Sequence, residues 1–340
     1  MLRFSPLKCL QRIRRLSTDV GFVFDIDGVL LHGEKPIPGA AEALRLLDRQ
    51  RIPFILLTNG GGKLEAQRTT QISKLLDVDI RPQQIVQSHT PYQALADKYR
   101  KVLAIGPSTV REVAEQYGFR DVVRPADVIL YNRLAAPFTG LTGQRLAREA
   151  RENPDLALTP FDAVLVFTES ADWGGDVQLI CDLLCSERGR LNTRRDTPSH
   201  IPAVPIYFSN NDLLWSNGYP VNRFGQGAFR MLIERLYGEL NAGYSLAHTT
   251  YGKPNRIAYD YAARVLGAWS GLQTAQPPAT VYMVGDNPHS DIIGAYNYGW
   301  RSCLVRNGVY RDGDTLPCQP TLVVDSVLDA VTAALQHSSH

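Results

Sequence analysis

The stretch "GFVFDIDGVL" (21–30) constrains this chain more than any other. Phe22, Val23 and Phe24 put apolar groups on both faces of an extended segment, which suits a strand covered on both sides by helices, as in a parallel sheet. Asp25 and Asp27 then fall where that strand ends. Acids are costly there unless they are paired, bound to a metal or set at the mouth of a site. The same pattern recurs along the chain. "IPFILLTNGGG" stops at Thr58 and Asn59, "QIVQSHTP" returns to a strand end, "TVYMVGDN" stops at Asp286, and "RSCLVRNG" is a further strand. Helix-period segments lie between: "GAAEALRLLDRQR", "KLEAQRTTQISKLLD", "NRIAYDYAARVLG" and "IIGAYNYGW". Short apolar runs alternating with helices specify an α/β architecture built on a parallel sheet.

Residues from about 100 to 245 form a second series of the same kind. "KVLAIG", "ADVILY", "AVLVFTES" and "VPIYFSN" read as strands, with helices at "DVQLICDLLC" and "GQGAFRMLIERLYGEL". This block is expected to be a separate α/β lobe inserted into the first. "APFTGLTG" and "LNTRRDTPSHIPAVP", rich in Thr, Pro and Gly, are its expected surface loops.

Composition narrows the classes. Lys+Arg 36 against Asp+Glu 34 gives a net charge of +2, too balanced for a nucleic-acid footprint over the whole chain. No apolar run approaches the roughly 20 residues that a membrane helix requires. The five cysteines show no CxxC pair; Cys181 and Cys185, on one face of a helical segment, read as buried thiols rather than metal ligands. Residues 1–19 differ from the rest: Arg3, Lys8, Arg12, Arg14 and Arg15 precede the first acid, Asp19, and Phe4, Leu7, Leu10, Ile13 and Leu16 recur every third residue. That is the pattern of a mitochondrial targeting segment.

Ligands of open α/β sheets bind beyond the carboxyl ends of the strands. If the strands ending at Asp25, Thr58 and Asp286 are neighbours, Asp25, Asp27, Asp286 and Asp291 crowd one rim. Such a cluster requires a cation. Oxygen donors without a nearby His or Cys favour a hard ion, and Mg²⁺ fits. Lys253, in "TTYGKPN", offers a positive charge in a turn whose proline can open a helix. A hydroxyl, strand-end amides, a lysine and a carboxylate-bound cation together suit a phosphoryl group.

"DIDGVL", "LLTNGG", "GKP" and "GDNPHSD", in that order, resemble the four signature motifs of the haloacid dehalogenase (HAD) superfamily. "PIPGAAEAL" and "SNNDLLWSNGYPVNRFGQGAF" are similar to its subclass IIA. The combination with "SHTP", "GW" and "LVRNGVY" resembles a mitochondrial branch, the cat-eye-syndrome-critical-region protein 5-like proteins. Ser290 stands where the usual fourth motif has threonine, and a hydroxyl is retained. The resemblance implies a Rossmannoid core in two pieces, 20–98 and 246–335, a C2-type α/β cap at 99–245 and a tail at 336–340.

It further implies a Mg²⁺-dependent phosphatase of small phosphomonoesters. Asp25 would be the nucleophile and Asp27 the acid and base. Thr58, Asn59 and Lys253 would hold the phosphoryl oxygens. The Asp25 side chain, the Asp27 carbonyl and Asp286 would hold the metal, with Asp291 acting through water or by orienting Lys253. Trp173, Asn210, Asn211 and Asp212 are candidates for the cap side of the substrate pocket. His32 and His89 follow strand ends and read as loop histidines, and Arg194 and Arg195 as a solvated loop. The expected partner is a small phosphorylated metabolite, with no nucleic acid and no integral membrane segment, in the mitochondrial matrix. Caps of this type sometimes pair, so an oligomer through the cap fits the resemblance.

The rivals differ in chemistry. Dehalogenases lack the second acid, which is present here as Asp27. A phosphomutase would return the phosphoryl group to its product. A binding protein would keep the site and hardly turn over. Names in this branch point to glycerophospholipid metabolism; a phosphatidyltransferase would need membrane helices, whereas a phosphorylated lipid precursor would not.

Overall fold

Alternation along the strands sets the core. Phe22 and Phe24 join one buried cluster and Val23 the opposite one; Leu56 and Val284 follow the first pair, Ile55 and Met283 the second. A strand with both faces buried needs helices on both sides, and the chain supplies them. Ala40–Gln50 and Val327–His337 cover one face through Ala43, Leu44, Leu47, Val327 and Val331. Arg256–Trp269 covers the other through Tyr259, Ala262 and Leu266. Each such large apolar side chain contributes about 1.5–3 kcal/mol on burial.

A computed structural model describes residues 19–215, 217, 219–269, 277–306 and 308–337. The targeting segment expected at the amino terminus lies, apart from Asp19, outside the described residues. The first sheet runs in the order Leu322–Val324, Arg301–Val305, Thr280–Gly285, Val20–Phe24, Phe54–Leu57, Ile85–Val86, all parallel. The second, also parallel, runs Thr249–Thr250, Ile206–Phe208, Ala163–Val166, Lys101–Ile105, Asp121–Val123. These are the two lobes read from the sequence, a Rossmannoid sheet and an inserted α/β lobe.

Two local expectations are corrected. "ADVILY" is helical, within Pro125–Tyr131, not a strand. Pro125 occupies the first helical position, and the Asp127 carboxylate accepts the Arg124 N–H at 2.8 Å, so capping overrides the strand-forming Val-Ile pair. The strand of that region is the short Asp121–Val123 just before it. The second lobe also draws on chain outside residues 99–245. Thr249–Thr250 pairs with Tyr207 and Phe208, and Tyr92 donates to the Val166 carbonyl at 3.1 Å. Among the described residues no helix is long and apolar enough to cross a membrane.

Candidate active site

Parallel pairing sets Phe24 level with Leu56 and Val284, so three strands end on one edge. The chain leaves them through Asp25, Thr58 and Asp286. The Asp25 N–H still donates to Val284 O at 2.9 Å and the Thr58 N–H to Val86 O at 3.0 Å, which fixes both residues at the rim. Lys253 arrives from the distant turn after Thr249–Thr250. It is 1% exposed, and its Nζ lies 2.7 Å from both Asp25 Oδ1 and Asp291 Oδ1. Asn59 clamps the same turn, accepting the Lys253 N–H at 2.8 Å and donating to the Lys253 carbonyl at 2.9 Å. The helix that follows starts at Arg256, two residues beyond the expected Pro254.

Asp286 and Asp291 are fixed by backbone donors. Val309 N–H reaches Asp286 Oδ2 at 2.6 Å, and Asn287 N–H reaches Asp291 Oδ2 at 3.0 Å. Asp291 lies inside the short turn Pro288–Ile292, whose cap is Asn287, so it is no helix cap itself. Two glycines make room. Gly28 (φ 89°) and Gly308 both back onto Asp286, where any Cβ would overlap its carboxylate.

Burial dominates the electrostatics. It pushes Asp286 well above the usual carboxylate range, with the nearby Asp25 and Asp291 adding to the rise. It raises Asp291 to about 6, against the pull of the Lys253 ammonium. Burial opposes the charge on Lys253, but the Asp25 and Asp291 carboxylates outweigh it and hold its pKa above the ordinary value. Asp27 is also raised to about 6 by desolvation, with Arg68 pulling down and Asp25 pushing up. Its side chain keeps 34% of its surface open to the cavity, so water moderates that rise. Asp212 rises to about 7 by burial, although the Asn59 amide donates to it at 2.9 Å.

Asp25, Asp286 and Asp291 each offer a carboxylate oxygen within 4.8 Å of the others, and all three are buried. One lysine cannot balance three anions. An oxygen-only donor set of this density fits a hard divalent cation.

The rim opens into a cavity of about 250 Å³ lined by Asp25, Asp27, Thr58, Asn59, Asn210, Asp212, Lys253 and Asp286. Asn210 is tied in by its side-chain donation to the Asn59 carbonyl at 3.0 Å. Two cap candidates are elsewhere. Trp173 packs edge-on against Phe229, ring centres 5.3 Å apart, with its Nε1–H on Ser170 O. Exposed Asn211 accepts from Arg230 Nε at 2.7 Å. His89, read as a loop histidine, is fully buried beside Tyr117, and desolvation lowers its pKa to about 3. His32, read as a loop histidine, instead ends the short strand Leu31–His32, paired with Lys35–Pro36, with Nε2 2.5 Å from Asn217 O. Arg195 is half-buried rather than a free loop side chain: it donates to Tyr237 Oη, Asn241 Oδ1 and two carbonyls.

Sequence reasoning missed Lys63, Arg68, Thr168, Glu169, Leu214 and Trp215, which also line the cavity. The signal available for two of them was a pair of cations, five residues apart, directly after the glycine-rich loop.

Family models for haloacid dehalogenase-like hydrolases match residues 22–120 and 250–330. The mitochondrial hydrolase YKR070W of Saccharomyces cerevisiae is 54% identical, over 94% of this chain and 96% of that protein. A Schizosaccharomyces pombe protein named as a cardiolipin synthase (CMP-forming) / mitochondrial hydrolase fusion is 42% identical, over 93% of this chain and 53% of the fusion. The 4-nitrophenylphosphatase structure from Thermotoga maritima shares the fold, with a TM-score of 0.64 at 18% identity, covering 94% of this chain and 98% of that one. The first match runs on into the inserted lobe, through Lys101–Ile105, and the two together contain the strand ends that carry Asp25, Thr58 and Asp286. The chain belongs to the haloacid dehalogenase superfamily of hydrolases.

Proposed function

We propose that the protein hydrolyses small phosphomonoesters through a covalent phosphoryl group on Asp25. The observation that carries this reading is the placement of Lys253 Nζ 2.7 Å from both Asp25 and Asp291, with Asp286 beside them, at the end of a cavity that also contains Asp27. Lys253 lowers the charge around Asp25 and, with the Thr58 hydroxyl and the backbone N–H of Asn59, supplies donors for phosphoryl oxygens. One well-placed donor of this kind is worth about 3–4 kcal/mol in a transition state. Asp291 positions Lys253.

In the first step an Asp25 carboxylate oxygen attacks phosphorus and the bond to the ester oxygen breaks. Asp27, protonated, gives its proton to the departing alkoxide. In the second step water attacks phosphorus, Asp27 takes the water proton, and inorganic phosphate leaves with Asp25 restored. A pKa raised to about 6 suits both duties of Asp27. Asp25 and Asp286, with the Asp27 carbonyl, would hold Mg²⁺. When bound, that ion supplies positive charge to the phosphoryl oxygens and keeps Asp25 ionised.

On substrate binding the cap closes over this rim and excludes bulk water. The yeast relatives' names and the basic, acid-free amino terminus support a mitochondrial location, which we assign to the matrix. The test is phosphate release from an aryl phosphate with Mg²⁺, comparing wild type with Asp25→Asn. Loss of turnover in the variant is expected, and equal rates would refute the reading.

A further inference from the structure

Two cations line the core side of the cavity and bind no phosphoryl oxygen in the chemistry above, where Arg68 acts only through the Asp27 pKa. Lys63 leaves the glycine-rich loop and Arg68 sits one turn into the helix Glu65–Leu76. A single acceptor holds both: Gln71 Oε1 takes Lys63 Nζ at 3.0 Å and Arg68 Nη1 at 3.1 Å. The carboxylate nearest to Arg68 is Asp27, with Nη2 3.9 Å from Oδ1, at the limit of an ion pair. Glu169 stands on the cap wall, and its Oε2 is taken by the Thr168 hydroxyl at 2.5 Å.

Two like charges drawn together on a neutral amide repel each other, and Gln71 cannot neutralise them. Lys253 is already matched to Asp25 and Asp291, so Lys63 and Arg68 are surplus to the phosphoryl site. Arg68 stands beside Asp27, the group assigned to the ester oxygen, and Lys63 is held to Arg68 by their shared acceptor, so the pair is placed on the leaving-group side rather than at the phosphorus. Arg68 keeps 18% of its side-chain surface exposed, which leaves its guanidinium reachable from the cavity.

We propose that Lys63 and Arg68 form a second oxyanion subsite, so that the preferred substrate is a small phosphomonoester carrying another anionic group, a carboxylate or a second phosphate, on its leaving alcohol. This rests on the phosphatase reading and narrows its substrate class. Arginine and lysine on a carboxylate or phosphate make charge-assisted hydrogen bonds, roughly twice as strong as neutral ones. The cavity of about 250 Å³, open to solvent on one side, accommodates a small leaving group.

The test is an equilibrium one, so that it does not depend on turnover. Mg²⁺-loaded Asp25→Asn protein is titrated calorimetrically with glycerol 3-phosphate, 3-phosphoglycerate and glycerol 1,3-bisphosphate. The first has a neutral leaving end, the second a carboxylate and the third a phosphate. At least about tenfold tighter binding of one or both anionic ligands is expected, with the better of the two identifying the source of the charge. Adding Lys63→Met and Arg68→Met on the same background should bring the three affinities within about threefold, with thermal melts confirming the fold. Equal affinities before those substitutions, or a preference that survives them, would overturn the subsite. Wild-type turnover of aryl phosphate is measured in parallel. An inactive wild type whose binding preference persists would refute the phosphatase reading and leave the subsite standing.

Discussion

Replacing Lys253 by Met isolates the electrostatic core of the site. The side chain is buried and nearly isosteric with Met, so the change removes charge more than volume. Its ammonium sits 2.7 Å from each of two carboxylates, and at an effective dielectric of 20 each contact is worth about 6 kcal/mol before desolvation. Desolvation offsets most of that, and removing one partner of a buried pair costs on the order of 3–5 kcal/mol because the remaining charge is stranded.

Urea unfolding in EDTA at pH 7.5 should therefore show Lys253→Met less stable than wild type by about 3–5 kcal/mol. The sign of the pH dependence follows from Asp286, raised well above the usual range, and Asp291, raised to about 6. Groups with raised native pKa values stabilise fully below their unfolded values and lose that contribution as pH rises through the native ones. Protonation quenches the stranded charges, so the deficit should shrink as pH falls from 7.5 toward 4. Excess Mg²⁺ at pH 7.5 should stabilise the variant more than the wild type. A variant within about 0.5 kcal/mol of wild type in EDTA at pH 7.5 would refute the reasoning, since surface changes alone fall in that range.

Gly308→Ala would force the Asp286 carboxylate aside, because the added Cβ overlaps it; Mg²⁺ titrated against phosphatase rate should show affinity at least about tenfold weaker, as outer-sphere disruptions do. Asp27→Asn should lower turnover of alkyl phosphates by about 10²–10⁴, and of p-nitrophenyl phosphate, whose leaving group needs no proton, far less. For wild type on an alkyl phosphate, the rate should fall as pH rises through about 6, where Asp27 loses its proton. Asp176 in the cap, buried with its pKa raised to about 7 by desolvation, favours folding when neutral and opposes it when ionised. Asp176→Asn should therefore gain on wild type in urea melts at pH 8 and gain nothing below pH 3.8, the ordinary carboxylate value.

The legible parts of this molecule were those with a one-dimensional signature. Apolar runs that stop at Asp25, Thr58 and Asp286 mark strand ends whichever neighbours they acquire. The rim followed from the general behaviour of parallel sheets. Lys253 was placed by its motif, since no periodicity reveals that a distant turn will be clamped by both ends of the Asn59 amide. Pro125–Tyr131 was misread because its β-forming residues outweighed a proline and a capping acid. Trp173 and Asn211 were drawn to the pocket by the polar company of "ESADWGGD" and of the run Asn210–Asp212, whereas the helix Trp173–Leu184 packs Trp173 on Phe229, and Asn211 meets Arg230 instead. Lys63 and Arg68 escaped notice because their shared acceptor, Gln71, becomes a neighbour only when the helix forms.

The most direct measurement is acid-quench mass spectrometry of the protein mixed with a phosphomonoester and Mg²⁺. A phosphoryl adduct on the peptide carrying Asp25, absent from Asp25→Asn and from samples in EDTA, is the expected result. Phosphate release at an undiminished rate in Asp25→Asn, with no adduct in the wild type at any quench time, would contradict a covalent role for Asp25.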